Sequence, residues 1–212
     1  MTLRQAACGF WRHPSPWVIA TALLAAGVAR VLVGDWTGTD ALVPLILAMA
    51  FPFVEWGIHV LVLHWRPRRI AGVVVDPLLA RKHRAHHVDP RDARLTFIPL
   101  QSLAGALVSA TAVALLLFPR TGTGLTFLVM VLGIGLVYEW THYLVHTDYT
   151  PKTVVYRFIR RNHRLHHFKN EHYWFAVTTP GTADRLLGTC PGPKAVATSP
   201  TARNLHAAPI TP

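Results

Sequence analysis

Four apolar runs, 17–33, 41–63, 97–118 and 124–145, constrain this sequence more than any other feature. Each meets or approaches the ~20 residues that an α-helix needs to cross the hydrocarbon core of a bilayer. Buried helices of a water-soluble protein normally carry a polar stripe, and Ala104–Phe118 shows none. Composition agrees, with 51% hydrophobic and only 15% charged residues, where an ordinary soluble domain carries roughly 25% charged. The expected fold is an all-α membrane protein: four transmembrane helices with a cytosolic helical cap made from the polar segments 64–96 and 147–189. Residues 1–16 read as a cytosolic N-terminal tail and 17–189 as a single membrane domain. Residues 190–212, rich in Pro, Thr and Ala without periodicity, read as a disordered tail.

The net charge of +11 usually signals an anionic partner, but its distribution gives a simpler account. The connections 34–40 and 119–123 hold one basic residue, Arg120. The segment 64–96 holds eight, and nine follow His146. By the positive-inside rule both termini and the cap face the cytoplasm, so the charge is a topology signal and nucleic-acid binding is not expected. Abundant Ala, Arg, Val and Pro suggest a GC-rich bacterial genome, hence an inner membrane. The first run is the shortest. It carries Arg30 near its outer end, expected to snorkel to the interface, and reads Gly27-Val28-Ala29 like a signal-peptidase site. Cys8 and Cys190, near opposite ends, exclude a disulfide framework and a Cys-ligated zinc site.

Thirteen histidines are the anomaly, since imidazole has no reason to accumulate in lipid-facing helices. Ten of them fall into two matching halves. His59 and His64 close the second run and His83, His86 and His87 follow; His142 and His146 close the fourth and His163, His166 and His167 follow. Residues three and four apart on a helix share a face, so 83/86/87, 142/146 and 163/166/167 each aim two or three imidazoles one way. His59 and His64, five apart, need a frayed or tilted helix end to converge. So many imidazoles crowded at a membrane surface cannot all be protonated, whereas metal cations bind the neutral ring. Eight to ten histidines are enough for two metals. Imidazole suits zinc, copper, iron and nickel, so the donor type alone does not choose among them.

Two acids lie inside the apolar runs. Glu55 precedes His59 by four residues and Glu139 precedes His142 by three, each about one turn deeper. A carboxylate at that depth is costly unless paired. The expected role is to accept the N–H of a ligating imidazole and so fix its tautomer.

In order and spacing the whole set resembles the fatty acid hydroxylase and sterol desaturase superfamily of integral-membrane di-iron oxygenases, from about Glu55 to Thr189. The carrying motifs are H-x4-H, H-x2-H-H followed by Pro90-Arg-Asp92 and Arg94-Leu95, H-x3-H, H-x2-H-H continuing as Phe168-Lys169-Asn170, and the closing Asp184-Arg-Leu-Leu-Gly188-Thr189. The resemblance implies that His59, His64, His83, His86, His87, His142, His146, His163, His166 and His167 ligate two iron ions, which zinc can replace in purified protein. It also implies that Asp92 orients the cap. His13, His172 and His206 lie outside the motifs. The implied reaction uses O2 and two external electrons to hydroxylate an unactivated C–H bond of a lipid drawn from the bilayer: a fatty acyl chain, a sphingolipid, a sterol or a carotenoid. Electrons are expected from a separate protein, a ferredoxin or a b-type cytochrome with its reductase. A desaturase with the same site is the nearest alternative, and a non-enzymatic histidine-rich membrane metal-binding protein is the alternative of another class.

Overall fold

The computed structural model describes residues 1–206. Its elements are α1 (Leu3–Phe10), α2 (Pro14–Val33), α3 (Thr39–Ile58) continued by a π-turn (His59–Leu63), the hairpin strands β1 (Arg68–Ile70) and β2 (Val73–Val75), α4 (Leu78–Val88), α5 (Ala93–Thr96), α6 (Leu100–Leu117), α7 (Thr121–Val145), α8 (Val154–Phe168) and α9 (Thr182–Leu186). Four spans, Pro14–Val33, Thr39–Leu63, Ala93–Leu117 and Thr121–Val145, are long and apolar enough to cross a membrane. The chain is a multi-pass, all-α membrane protein. Its lipid-facing surface is aliphatic, with Leu32, Leu115 and Leu116 each at least 73% exposed.

The longest helix, α7, is the axis of the bundle and packs against α2, α3 and α6. The α6–α7 turn is tight because Gly124 presses on the Ala114 carbonyl, where a Cβ would come within 2.5 Å of the oxygen. At the end of the bundle away from the histidines, Arg30 is buried rather than snorkelling. Its Nη2 lies 3.0 Å from Asp40 Oδ1, its Nε donates to Thr126 Oγ1 at 2.8 Å, and its guanidinium stacks over Trp36. Thr126 Oγ1 in turn donates to Asp40 at 2.7 Å. A carboxylate one helix away makes the interior cheaper for Arg30 than the interface, so the residue ties α2 to α3 and α7.

At the histidine end both termini are structured, which corrects the expectation of a disordered C-terminal tail from residue 190. The N-terminal tail contains a capped helix: Thr2 and Gln5 form a reciprocal capping box, and Phe10 packs edge-on against Trp140 and alongside Phe97 and Tyr143. From residue 190 the chain has a defined course to His206. It is held by the Trp174 indole donating to the Pro191 carbonyl, the Ser199 amide donating to Lys169, and burial of Ala202 and Leu205. These few anchors suffice because the cap presents a surface that covers them. The rest of the expected tail, 207–212, lies outside the described residues.

Candidate metal centre

Each helix that carries these histidines bears them in or just beyond its C-terminal turns, and the helix ends meet. The π-turn solves the five-residue spacing of His59 and His64. A π-turn bonds i to i+5, here His64 N–H to the His59 carbonyl at 3.0 Å, and the two rings come to 5.1 Å. Helices α4 and α8 present their triplets from the cap, and α7 ends in His142 with His146 just beyond.

Ten imidazoles form two groups, within each of which the available ring nitrogens lie within 4.8 Å of one another: His59, His64, His83, His87 and His166; and His86, His142, His146, His163 and His167. Eight of the ten are buried, and His64 and His146 are half-buried. The groups do not follow the sequence triplets. The middle histidine of each triplet crosses over, so that His166 joins the first half and His86 the second. The groups touch where the His87 and His167 rings approach to 4.2 Å.

Several nitrogens have their roles fixed by backbone. His59 Nδ1 faces the Phe175 carbonyl at 2.6 Å, His87 Nδ1 faces Ala202 at 2.8 Å, His142 Nδ1 faces Thr96 at 2.8 Å and His166 Nδ1 faces Tyr173 at 2.8 Å. A carbonyl only accepts, so the ring proton must sit on Nδ1 and the Nε2 lone pair must point into the group. Nε2 of His59 and of His142 is buried without a hydrogen-bond partner among the described residues, while other Nε2 atoms meet in pairs at 2.9–3.2 Å, as for His146 with His163 and His64 with His166. The inward lone pairs of His59 and His142 thus meet no protein donor, which suits a bound cation. Burial, and after it repulsion between neighbouring imidazoles, holds His64, His83, His86, His146, His163, His166 and His167 well below the ordinary value of 6.5. Burial takes His87 to about 4. Neutral, preoriented imidazoles in two sets of five are a fitting donor set for transition-metal cations.

Glu55 and Glu139 do not bond to an imidazole, which corrects the expected contact. Glu55 accepts the amides of Val177 at 3.2 Å and Thr178 at 2.7 Å, and the hydroxyls of Thr178 and Thr179. Glu139 accepts the Ile98 amide at 2.7 Å and the Ser15 hydroxyl at 2.7 Å. Each carboxylate thus anchors the strand of backbone whose carbonyl holds a histidine: Phe175 for His59, Thr96 for His142. One turn deeper than its histidine, each acid is level with that strand and not with the ring. Asp92 also acts through backbone, accepting the Arg94 amide at 3.0 Å as N-cap of α5, the helix that carries Thr96.

Asp184 completes this support in a way that spacing did not reveal. It is fully buried and accepts the amides of Phe175 at 3.0 Å and Ala176 at 2.8 Å and the Thr189 hydroxyl at 2.7 Å. Between the two carbonyls that it and Glu55 steady, Trp174 takes a left-handed φ of 58° and is fully buried. The Phe175 ring closes the first group, 5.3–5.6 Å from the rings of His59, His64 and His166. Asp184 lies ten residues after Trp174, so no helical or strand period links the two; its signal in the sequence is that it opens the closing motif Asp184–Thr189.

The fatty acid hydroxylase family model matches residues 44–189, which include all ten histidines. Mouse (Mus musculus) fatty acid 2-hydroxylase is 31% identical over 137 residues, covering 63% of this chain and 36% of that protein, so the chain spans about a third of the length of this curated relative. The solved structure of full-length Scs7p, in which only the hydroxylase domain is visible, aligns with a TM-score of 0.69 at 20% identity, covering 87% of this chain and 70% of the other; that likeness is one of fold.

Proposed function

The chain belongs to the fatty acid hydroxylase family, and from that premise we propose that it is a membrane-bound di-iron oxygenase that hydroxylates an unactivated C–H bond of a lipid. The name of the mouse relative makes a fatty acyl chain, free or within a larger lipid, the first substrate to test. The observation that carries the proposal is the division of ten imidazoles, eight of them buried, into two touching groups of five. His59, His64, His83, His87 and His166 would hold one ion, and His86, His142, His146, His163 and His167 the other. Two iron ions there would supply O2 activation, drawing two electrons from a separate protein such as a ferredoxin or a b-type cytochrome with its reductase.

The residues of this chain set the conditions for that chemistry. The Phe175, Tyr173, Thr96 and Ala202 carbonyls fix ring orientation; Glu55, Glu139 and Asp184 steady the segments that carry the first three. The Phe175 ring excludes water from the first group. Because the groups sit where α3 and α7 leave the apolar spans, an acyl chain can enter from the bilayer while electrons and protons arrive from water. The basic segments 64–96 and 147–206 support a cytoplasmic location for this face and both termini, and the composition supports a bacterial inner membrane.

Lipid analysis of cells with and without the chain, grown under 18O2, tests the reading. A lipid gaining one labelled oxygen is the expected result. Loss of two hydrogens assigns desaturation instead. Tight zinc binding without oxygen uptake assigns a metal-binding protein.

A further inference from the structure

The segment that follows the family-matched region makes its contacts selectively. It is tied down where α8 ends: the Ser199 amide donates to the Lys169 carbonyl at 2.7 Å, and Asn170 Nδ2 donates to the Ala197 carbonyl at 3.2 Å. Glu171, only 3% exposed, accepts the hydroxyls of Ser199 (3.0 Å) and Thr201 through one carboxylate oxygen. Beyond that anchor Ala202 and Leu205 are buried, and a turn closes with Asn204 N–H on the Thr201 carbonyl. The Ala202 carbonyl then meets His87 Nδ1 at 2.8 Å, and His206 Nε2 meets the His64 carbonyl at 3.1 Å. Both histidines belong to the first group of five. The carbonyls facing His59 and His166 come from 173–175, inside the matched region, so among the described contacts His87 is the ring whose nitrogen is held by the later segment, while His64 meets it through backbone.

Resting on the two-ion reading above, we propose that Ser199–Leu205 is a positioning element of the first histidine group, with Glu171 as its anchor. The Ala202 carbonyl keeps the His87 proton on Nδ1 and turns the Nε2 lone pair inward; Glu171, through the two hydroxyls, keeps that carbonyl in place. Loss of such a hydrogen-bonded support around a metal ligand typically lowers affinity about 10–100-fold. Here the loss is confined to one ion.

The test is zinc(II) titration of the purified, metal-depleted full chain, since imidazole accepts zinc and the readout needs no turnover. The wild type is expected to bind two ions. Ser199→Ala/Thr201→Val and Glu171→Ala are each expected to keep one tight ion and to weaken the other about 10–100-fold. Glu171→Gln, which retains an acceptor oxygen, is expected to restore much of the loss. Adding His83→Ala from the first group removes no further tight ion, whereas adding His163→Ala from the second removes the one that remains. Two ions bound at wild-type affinity in the double variant, or weakening of both ions alike, overturns the proposal. A wild-type chain that binds no zinc overturns the two-ion reading itself, and the proposal with it.

Discussion

Individual side chains here act in partnerships that their sequence neighbours do not suggest. His86 lies between His83 and His87 in the chain yet groups with His142, His146, His163 and His167. His86→Ala is therefore expected to behave as a second-group variant: combined with His163→Ala it leaves one ion per chain, and combined with His83→Ala it leaves none. Metal analysis of the two double variants checks this, and the reverse pattern would restore the triplets as units. Arg30 is the other case. Replacing it with Met leaves Asp40 without its cation and is expected to destabilise the fold. Thermal unfolding in detergent should show a clear drop for Arg30→Met and a smaller one for Arg30→Met/Asp40→Asn; an unchanged midpoint for the single variant would mean that Arg30 reaches the interface after all. The expectation that Arg30 snorkels fails for a physical reason: snorkelling and burial differ only in whether an acid on another helix stands opposite, and Asp40 does so through the tertiary fold.

Among the elements, the long apolar helices and the helical triplets were readable from the sequence, because hydrocarbon thickness and the helix period act locally. The π-turn was half readable. A five-residue histidine spacing demands a departure from α geometry, and the structure supplies it by widening the last turn of α3. The supporting segments were opaque, because 173–179 and 190–206 have no period and owe their shape to carboxylates outside them, Glu55 and Asp184 for the first and Glu171 for the second. The short helix α1 escaped for a related reason: eight residues make a poor isolated helix, and only its docking site stabilises it. Phe10, 2% exposed between Phe97, Trp140 and Tyr143, is its anchor. Phe10→Ala is expected to destabilise the protein by about 3–5 kcal/mol, seen as a lower unfolding midpoint. A negligible shift would mean that α1 contributes nothing to the bundle.

On the scale of the whole molecule, the protein is a bundle whose two ends do different work, one locked by a buried ion pair and the other built around imidazoles kept uncharged. Acidification separates them. The folded state holds the cap histidines below their ordinary 6.5, His87 at about 4. Above pH 6.5 folded and unfolded chains are both neutral at these positions. Below it the unfolded chain takes up protons that the folded one refuses, so stability falls as pH drops from 6.5 toward 4. Metal retention should fall over the same interval, because protons compete for the lone pairs. Retention undiminished down to pH 4 would show that the imidazoles are not the donors. The most direct test of the central claim is the iron content of the chain purified from membranes under anaerobic conditions. Two iron ions per chain are expected, and one in either His83→Ala or His163→Ala. A wild-type chain with no iron-binding capacity, or one whose iron content neither substitution changes, would contradict that claim.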